Sequence, residues 1–183
     1  MAISQFNFPT TIRFGAGVVS ELPDYLKKNN LSRPLVVTDP NVAQLGFFKK
    51  IVDDLKAKGF AVEVFSNIHK NPVKSDVYAG TDAYDAHKGD SIIGIGGGAG
   101  LDVARAILLR IEHREDLFKY DDLIGGDVYV TNGVPHFVTI PTTAGTGSEV
   151  GRSAIIADDV THQKKILFSP KLLAKMYFPT QYL

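Results

Sequence analysis

Short runs of buried-type, β-branched residues alternate along this chain with longer stretches in which apolar positions recur every three or four residues. The first rhythm predicts strands, and the second predicts helices that lay one face on a sheet. Residues 11–14 predict an opening strand, 18–28 a helix, and 34–38 a strand that ends at Asp39. A helix is predicted over 41–58, where Val42, Leu45, Phe48, Val52 and Leu55 keep helical spacing and Gly59 supplies a stop. A strand at 61–65, a helix at 74–87 and a strand at 91–95 follow; a helix carrying Leu101, Val103, Ala104, Ile107 and Leu108 comes next, and 136–140 reads as another buried strand. Regular β-then-α alternation predicts the α/β class, a parallel sheet with helices on both faces. Ligands in such sheets bind beyond the C-terminal strand ends, where Asp39, the glycines at 96–98 and the segment from Pro141 onward are expected.

The segment SIIGIGGGAGLD, residues 91–102, carries the strongest chemical signal, because a strand pattern runs into three glycines and then into a helix. Without a Cβ, Gly96, Gly97 and Gly98 let the backbone turn sharply and offer its N–H groups to an anion at the helix start, and a diphosphate suits that seat. Gly94, Gly96 and Ala99 match the loose G-x-G-x-x-G/A dinucleotide string, which expects an acidic residue about 20 positions on, at the next strand end. Glu112 and Glu115 stand instead among His113 and Arg114 in a polar stretch, so the ordinary Rossmann fingerprint is not met. Asp39 has two readings: a carboxylate that accepts hydrogen bonds from an adenosine ribose and repels a 2′-phosphate, favouring NAD over NADP, or a cap for the following helix. Thr142, Thr143, Thr146 and Ser148 could face a ligand or satisfy their own loop, and the two roles are compatible. Ser148 and Glu149 read as the opening of a helical turn.

Composition narrows the field. In 183 residues, 44% are hydrophobic and 22% charged, with 20 Lys plus Arg against 20 Asp plus Glu, which describes one ordinary globular domain with no charge bias toward nucleic acid or an anionic membrane. The absence of cysteine excludes disulfides and thiolate metal sites. The N-terminus lacks a signal-peptide pattern, and no apolar run approaches the roughly 18 residues of a spanning helix, so a cytoplasmic location is expected. The five histidines, His69, His87, His113, His136 and His162, hold no three- or four-residue spacing, so no metal site is expected; His136, at a strand start, reads as a hydrogen-bonded structural residue. Gly147-Ser148-Glu149 lacks the glycines of a hydrolase elbow.

Three segments, FNFPTTIRFGAG near the N-terminus, GGGAGLDVARAI at 96–107 and PTTAGTGSEV at 141–150, together resemble the N-terminal half of the iron-containing alcohol dehydrogenases. The resemblance runs through the whole chain in order, and PTTAGTGSEV is its sharpest piece. It implies a Rossmann-like, NAD(P)-binding α/β domain over 1–183. Asp39 would stand near the adenosine ribose, with Gly96, Gly97, Gly98 and Ala99 at the pyrophosphate, Asp102 beside it, and Thr142, Thr143 and Thr146 toward the nicotinamide. A lysine in the hairpin after that loop, Lys164 or Lys165, would approach the cofactor. The implied activity is hydride transfer between NAD and a small alcohol or aldehyde.

Departures from the family pattern carry their own expectations. Where members commonly read GGGSPxDxAK, this chain has Ala99, Gly100 and Arg105. One hydroxyl donor to phosphate is lost, worth about 1 kcal/mol, and the missing proline is expected to loosen the turn. The family's metal ligands, an aspartate and three histidines, belong to a helical C-terminal domain that should begin about where this sequence stops. Fe2+ or another divalent metal is thus expected only with that domain, and the chain alone should turn over little. The alternative is a non-catalytic dinucleotide-binding or assembly module. Apolar surface left uncovered, including Tyr177, Phe178 and Tyr182, is expected to drive homo-oligomerisation.

Overall fold

The computed structural model describes residues 10–147 and 150–179. Ser148, Glu149 and Tyr182, named above, lie outside them, as do residues 6–9, the first four of the first family-like segment.

Six parallel strands form the main sheet: β1 (Thr11–Ile12), β2 (Pro34–Val37), β3 (Glu63–Phe65), β4 (Ser91–Gly96), β5 (His136–Pro141) and β8 (Met176–Tyr177), in the spatial order β1-β8-β5-β4-β2-β3. The remaining strands, β6 (Ser153–Ala157) and β7 (Lys164–Phe168), pair as an antiparallel hairpin. Helices α1 (Leu22–Lys28), α2 (Gly46–Ala57), α3 (Lys74–His87) and α4 (Gly98–Glu112) cover the sheet.

Strand alternation sorts the core. Leu35, Val37, Ile92 and Phe137 point to the face held by α3, α4 and the hairpin. Val36, Ile93, Ile95, Val138 and Ile140 point to the face held by α1 and α2, and all nine side chains are buried. The central strands β2, β4 and β5 are therefore apolar on both sides, as strands of a parallel sheet must be. α4 is buried nearly all round because the sheet lies under it and the β6–β7 hairpin over it. Gly94 lets it approach, since a Cβ there would lie 3.0 Å from Leu101 Cδ2 and 3.1 Å from the Ala104 methyl.

The Rossmann-like fold class is as expected, with local corrections. The predicted helix at 41–58 is broken: a 3-10 turn spans Val42–Gln44, Leu45 is extended at ψ 144°, and α2 starts at Gly46. Leu45, placed by spacing on the apolar stripe, is 47% exposed. The helix at 18–28 splits likewise into a 3-10 turn, Val18–Glu21, and α1, whose second residue, Pro23, suits a first turn. Gly59 stops α2 in the left-handed region at φ 90°. The tail contributes β8, seated between β5 and β1. Phe178 is no exposed anchor: it is fully buried, with Tyr25 packed edge-on against its ring.

The order creates a switch point. From β2 the chain leaves by α2 on one face, and from the adjacent β4 it leaves by α4 on the other, so a crevice opens between the carboxyl ends of β2 and β4.

Candidate functional site

The crevice is built first from main chain. Gly96 ends β4 at φ 139°, a conformation that side chains rarely adopt. Gly97, the N-cap of α4, has no side chain capping the helix, and a Cβ on it would lie 3.2 Å from Thr143 Oγ1. Gly98 begins α4, and nothing stands within 4 Å of where its Cβ would be. The first N–H groups of a 15-residue helix thus point toward open space, with the positive end of its dipole behind them. Gly100 stands where the family pattern has proline. It is buried, and its Cβ would meet Ile95 O at 3.4 Å and Asp39 N at 3.6 Å, so the glycine brings α4 close to the ends of β4 and β2.

Around this opening stand side chains from four other segments. Asp39, just past β2, uses Oδ1 to accept the N–H groups of Asn41 at 2.9 Å and Val42 at 3.0 Å, which is the capping reading; Oδ2 faces Gly96, 3.5 Å from its Cβ position. Both readings of Asp39 remain compatible with that geometry, because the cap occupies a single oxygen. The threonine loop begins with Thr142 N donating to Gly96 O at 2.9 Å and turns through Gly145 and Gly147 at φ 80° and 68°. Thr143 and Thr146 are exposed, and Thr142 is half-buried.

A cavity of about 250 Å3 extends from the glycine turn and is lined by Lys70, Asn71, Gly98, Ala99, Asp102 and Lys164 among others. The pair Lys164 and Lys165 is divided by strand alternation. Lys164 lines the cavity, whereas Lys165 turns to the other side of the hairpin, where its Nζ lies 3.3 Å from the buried Asp121 Oδ2. Lys70, Asn71 and Pro72 escaped the sequence reading. Asn-Pro signals a turn and nothing more, and the segment joins the cavity only because the hairpin grips it: Ala157 N donates to Pro72 O at 2.8 Å and Ser75 N to Asp159 Oδ2 at 3.1 Å.

Asp102 is the carboxylate of this cavity. Burial pushes its carboxyl up to about 6, against the opposing pull of Arg105 and of the Ile155 backbone N–H. Arg105, buried beneath it, holds NH1 3.6 Å from Asp102 Oδ1 and sits over the Phe137 ring. Gly151 makes room for that guanidinium, since a Cβ there would lie 2.8 Å from Arg105 NH2. A larger cavity, about 360 Å3, lies on the other face of the sheet, between the turn at Gly17–Pro23 and α2, and shares no residue with the crevice. Among the described residues no three His, Asp or Glu side chains converge on a point, so they do not form a metal site. His136 shares a 2.8 Å hydrogen bond with Tyr25 OH at the far end of the sheet. No helix of the described residues is long and apolar enough to cross a membrane.

Comparison with known proteins matches residues 9–178 to the model of the iron-containing alcohol dehydrogenases. Choline dehydrogenase of Bacillus subtilis is 32% identical over 154 residues, which are 84% of this chain and 38% of that protein. Among solved structures, a 1,3-propanediol oxidoreductase superposes with a TM-score of 0.87 at 27% identity, covering 96% of this chain and 46% of its own. The NADH-dependent butanol dehydrogenase A of Thermotoga maritima does so with a TM-score of 0.86 at 25% identity, covering 98% and 44%. The chain spans less than half the length of each of these proteins.

Proposed function

Because the chain belongs to the iron-containing alcohol dehydrogenase family, we propose that it is the NAD-binding half of a cytoplasmic dehydrogenase acting on a small alcohol or aldehyde. What carries this reading is the uncapped start of α4 at Gly98, open within 4 Å and set between Asp39 on one side and Lys164 on the other. Gly97, Gly98 and Ala99 would hold the diphosphate with main-chain N–H groups. Asp39 would take the adenosine ribose through the oxygen not used as a cap, and its charge disfavours a 2′-phosphate. Lys164 and the loop of Thr142, Thr143 and Thr146 would flank the remainder. Bound there, the nicotinamide supplies the hydride acceptor or donor, and the chain's own residues bind and orient it. The described residues do not fit a metal, so no step through one is assigned to them. The substrate class follows from the relatives' names, a choline and a butanol dehydrogenase, and from the family.

Titration calorimetry with NAD, NADP and ADP-ribose tests the proposal. NAD and ADP-ribose should bind, and NADP should bind more weakly. Tighter NADP would overturn the role of Asp39, and failure of ADP-ribose to bind would overturn the nucleotide site. Alcohol oxidation at ordinary enzyme rates by these 183 residues with ferrous iron would refute the limitation to cofactor binding. Self-association belongs to the same proposal: Leu123, Ile124, Val128 and Tyr129 are each more than half exposed within one short stretch. A strictly monomeric mass by light scattering at high micromolar concentration would remove it.

A further inference from the structure

Asp102 holds an unusual position for a carboxylate in a cavity built for an anion. It stands in the second turn of α4, on the same cavity wall as Gly98 and Ala99, with about a quarter of its side chain exposed to that space. The charged groups around it are Arg105, buried beneath it on its own helix, and Lys164 on β7 and Lys70 on the segment before α3, which line the cavity. None of them closes a short ion pair on Asp102, the nearest contact being the 3.6 Å to Arg105 NH1. Resting on the reading that this cavity takes a dinucleotide, we infer that Asp102 takes up a proton when the diphosphate seats at the start of α4, so that cofactor binding is linked to pH through this residue.

The argument is one of charge in a confined space. A diphosphate would bring its negative charges into a cavity that already holds an ionised carboxylate, and in a partly buried site their repulsion is weakly screened. Neutralising Asp102 removes the repulsion and turns an acceptor into an O–H donor, which a phosphate oxygen can use. The proton is close at hand, because burial has already brought the carboxyl to about 6 in the free chain. The sign follows: binding that takes up protons strengthens as pH falls through the window above that value and weakens as pH rises. His69, next to Lys70, is the competing titratable group. Its Nδ1 lies 2.7 Å from Asp76 Oδ1, and that hydrogen bond raises its pKa.

Calorimetry of the whole chain with NAD, in buffers of different ionisation enthalpy near pH 6.5, reads the protons directly. The wild-type chain should take up a fraction of a proton per NAD, and its Kd should weaken about tenfold between pH 5.5 and 8, the effect of raising the pKa by one unit. Asp102→Asn should bind NAD with no uptake and a flat pH profile, while His69→Gln should keep the uptake. Equal uptake in Asp102→Asn, or binding by the wild-type chain without uptake, overturns the inference and leaves the dinucleotide site standing. Absence of NAD binding at every pH overturns both. Should Asp102→Asn fail to fold, the carboxyl 13C resonance of Asp102 in the wild-type chain decides, because its titration midpoint must rise when NAD is added.

Discussion

Two carboxylates flank the same segment of chain, Asp90 just before β4 and Asp102 one turn into the helix after it, and they are treated in opposite ways. Asp90 is surrounded by donors: its Oδ2 accepts Ser32 N at 2.6 Å, Ser32 Oγ at 3.2 Å and Arg33 N at 2.9 Å, and its Oδ1 accepts Ser91 Oγ at 2.8 Å. Burial pushes this carboxyl up, but the hydrogen bonds outweigh it and hold the group below its usual range. Asp102 receives a backbone N–H from Ile155 and a distant guanidinium, and burial wins. The same contrast extends to their surroundings. At the Asp90 end Arg33 donates to His87 O and Lys88 O, and Tyr25 binds His136, so side chains close the bottom of the sheet. At the Asp102 end a helix begins uncapped beside three glycines. One end of the sheet is closed by side-chain hydrogen bonds, and at the other the start of α4 has no side-chain cap.

The sharpest way to break this contrast is to fill the open end. Gly97→Val places branched carbons where even a Cβ stands 3.2 Å from Thr143 Oγ1. NAD affinity should fall about 100-fold with little movement of Tm, measured by calorimetry and thermal melting; unchanged affinity would show that the nucleotide does not use this turn. The mirror experiment attacks the closed end. Asp90→Ala removes the acceptor of four hydrogen bonds and should cost about 2 kcal/mol of stability at pH 7, read by urea denaturation, with NAD affinity untouched. Because its folded pKa is depressed, that contribution is present above the unfolded carboxylate range and lost as pH falls through the lowered folded value, so the variant and the wild type should converge in acid.

The frame was largely legible in the chain, and of the closed end only His136 was read, as a hydrogen-bonded structural residue. Both-sides-apolar runs marked β2, β4 and β5, α3 lies at the predicted Lys74–His87, and the glycine turn follows β4 as expected, with Gly96 at φ 139°. What escaped depended on contacts distant in sequence. Apolar spacing at Val42, Leu45 and Phe48 runs unbroken through a point where the chain goes from a 3-10 turn to an extended residue and Leu45 is turned outward, since spacing does not record how tightly the turn is wound. Lys164 and Lys165 are indistinguishable until the hairpin register and the buried Asp121 send them to opposite sides. Asn71 reads as a turn residue because its place in the cavity is set by the Val73–Ala157 bridge.

Asp102 gives the contrast a pH signature of the other sign. With a folded value of about 6, above the ordinary carboxylate range, the native state holds a proton that the unfolded chain has released across that interval, so ionisation destabilises the fold as pH rises through it. Asp102→Asn should therefore stabilise the chain by about 1–2 kcal/mol at pH 8, the shift discounted for the partial exposure of the side chain, and by nothing near pH 4. Denaturation at the two pH values checks this. A gain at pH 4 equal to that at pH 8 would mean that packing, and not charge, governs the site.

Ala99 offers the smallest and most discriminating change. It sits in the first turn of α4 on the cavity wall, at the position where the family pattern implies a serine. If the open end binds anions chiefly through main chain, a single added hydroxyl contributes only what one hydrogen bond nets against water, about 1 kcal/mol or some fivefold in affinity. Ala99→Ser should tighten NAD and ADP-ribose alike by that factor and leave Tm within a degree or two, since a serine is tolerated in a first helical turn. An effect on NAD that ADP-ribose does not share would place the hydroxyl at the nicotinamide and not at the diphosphate. That result would force the nucleotide to run through the cavity in the opposite direction, with Asp39 no longer beside the adenosine.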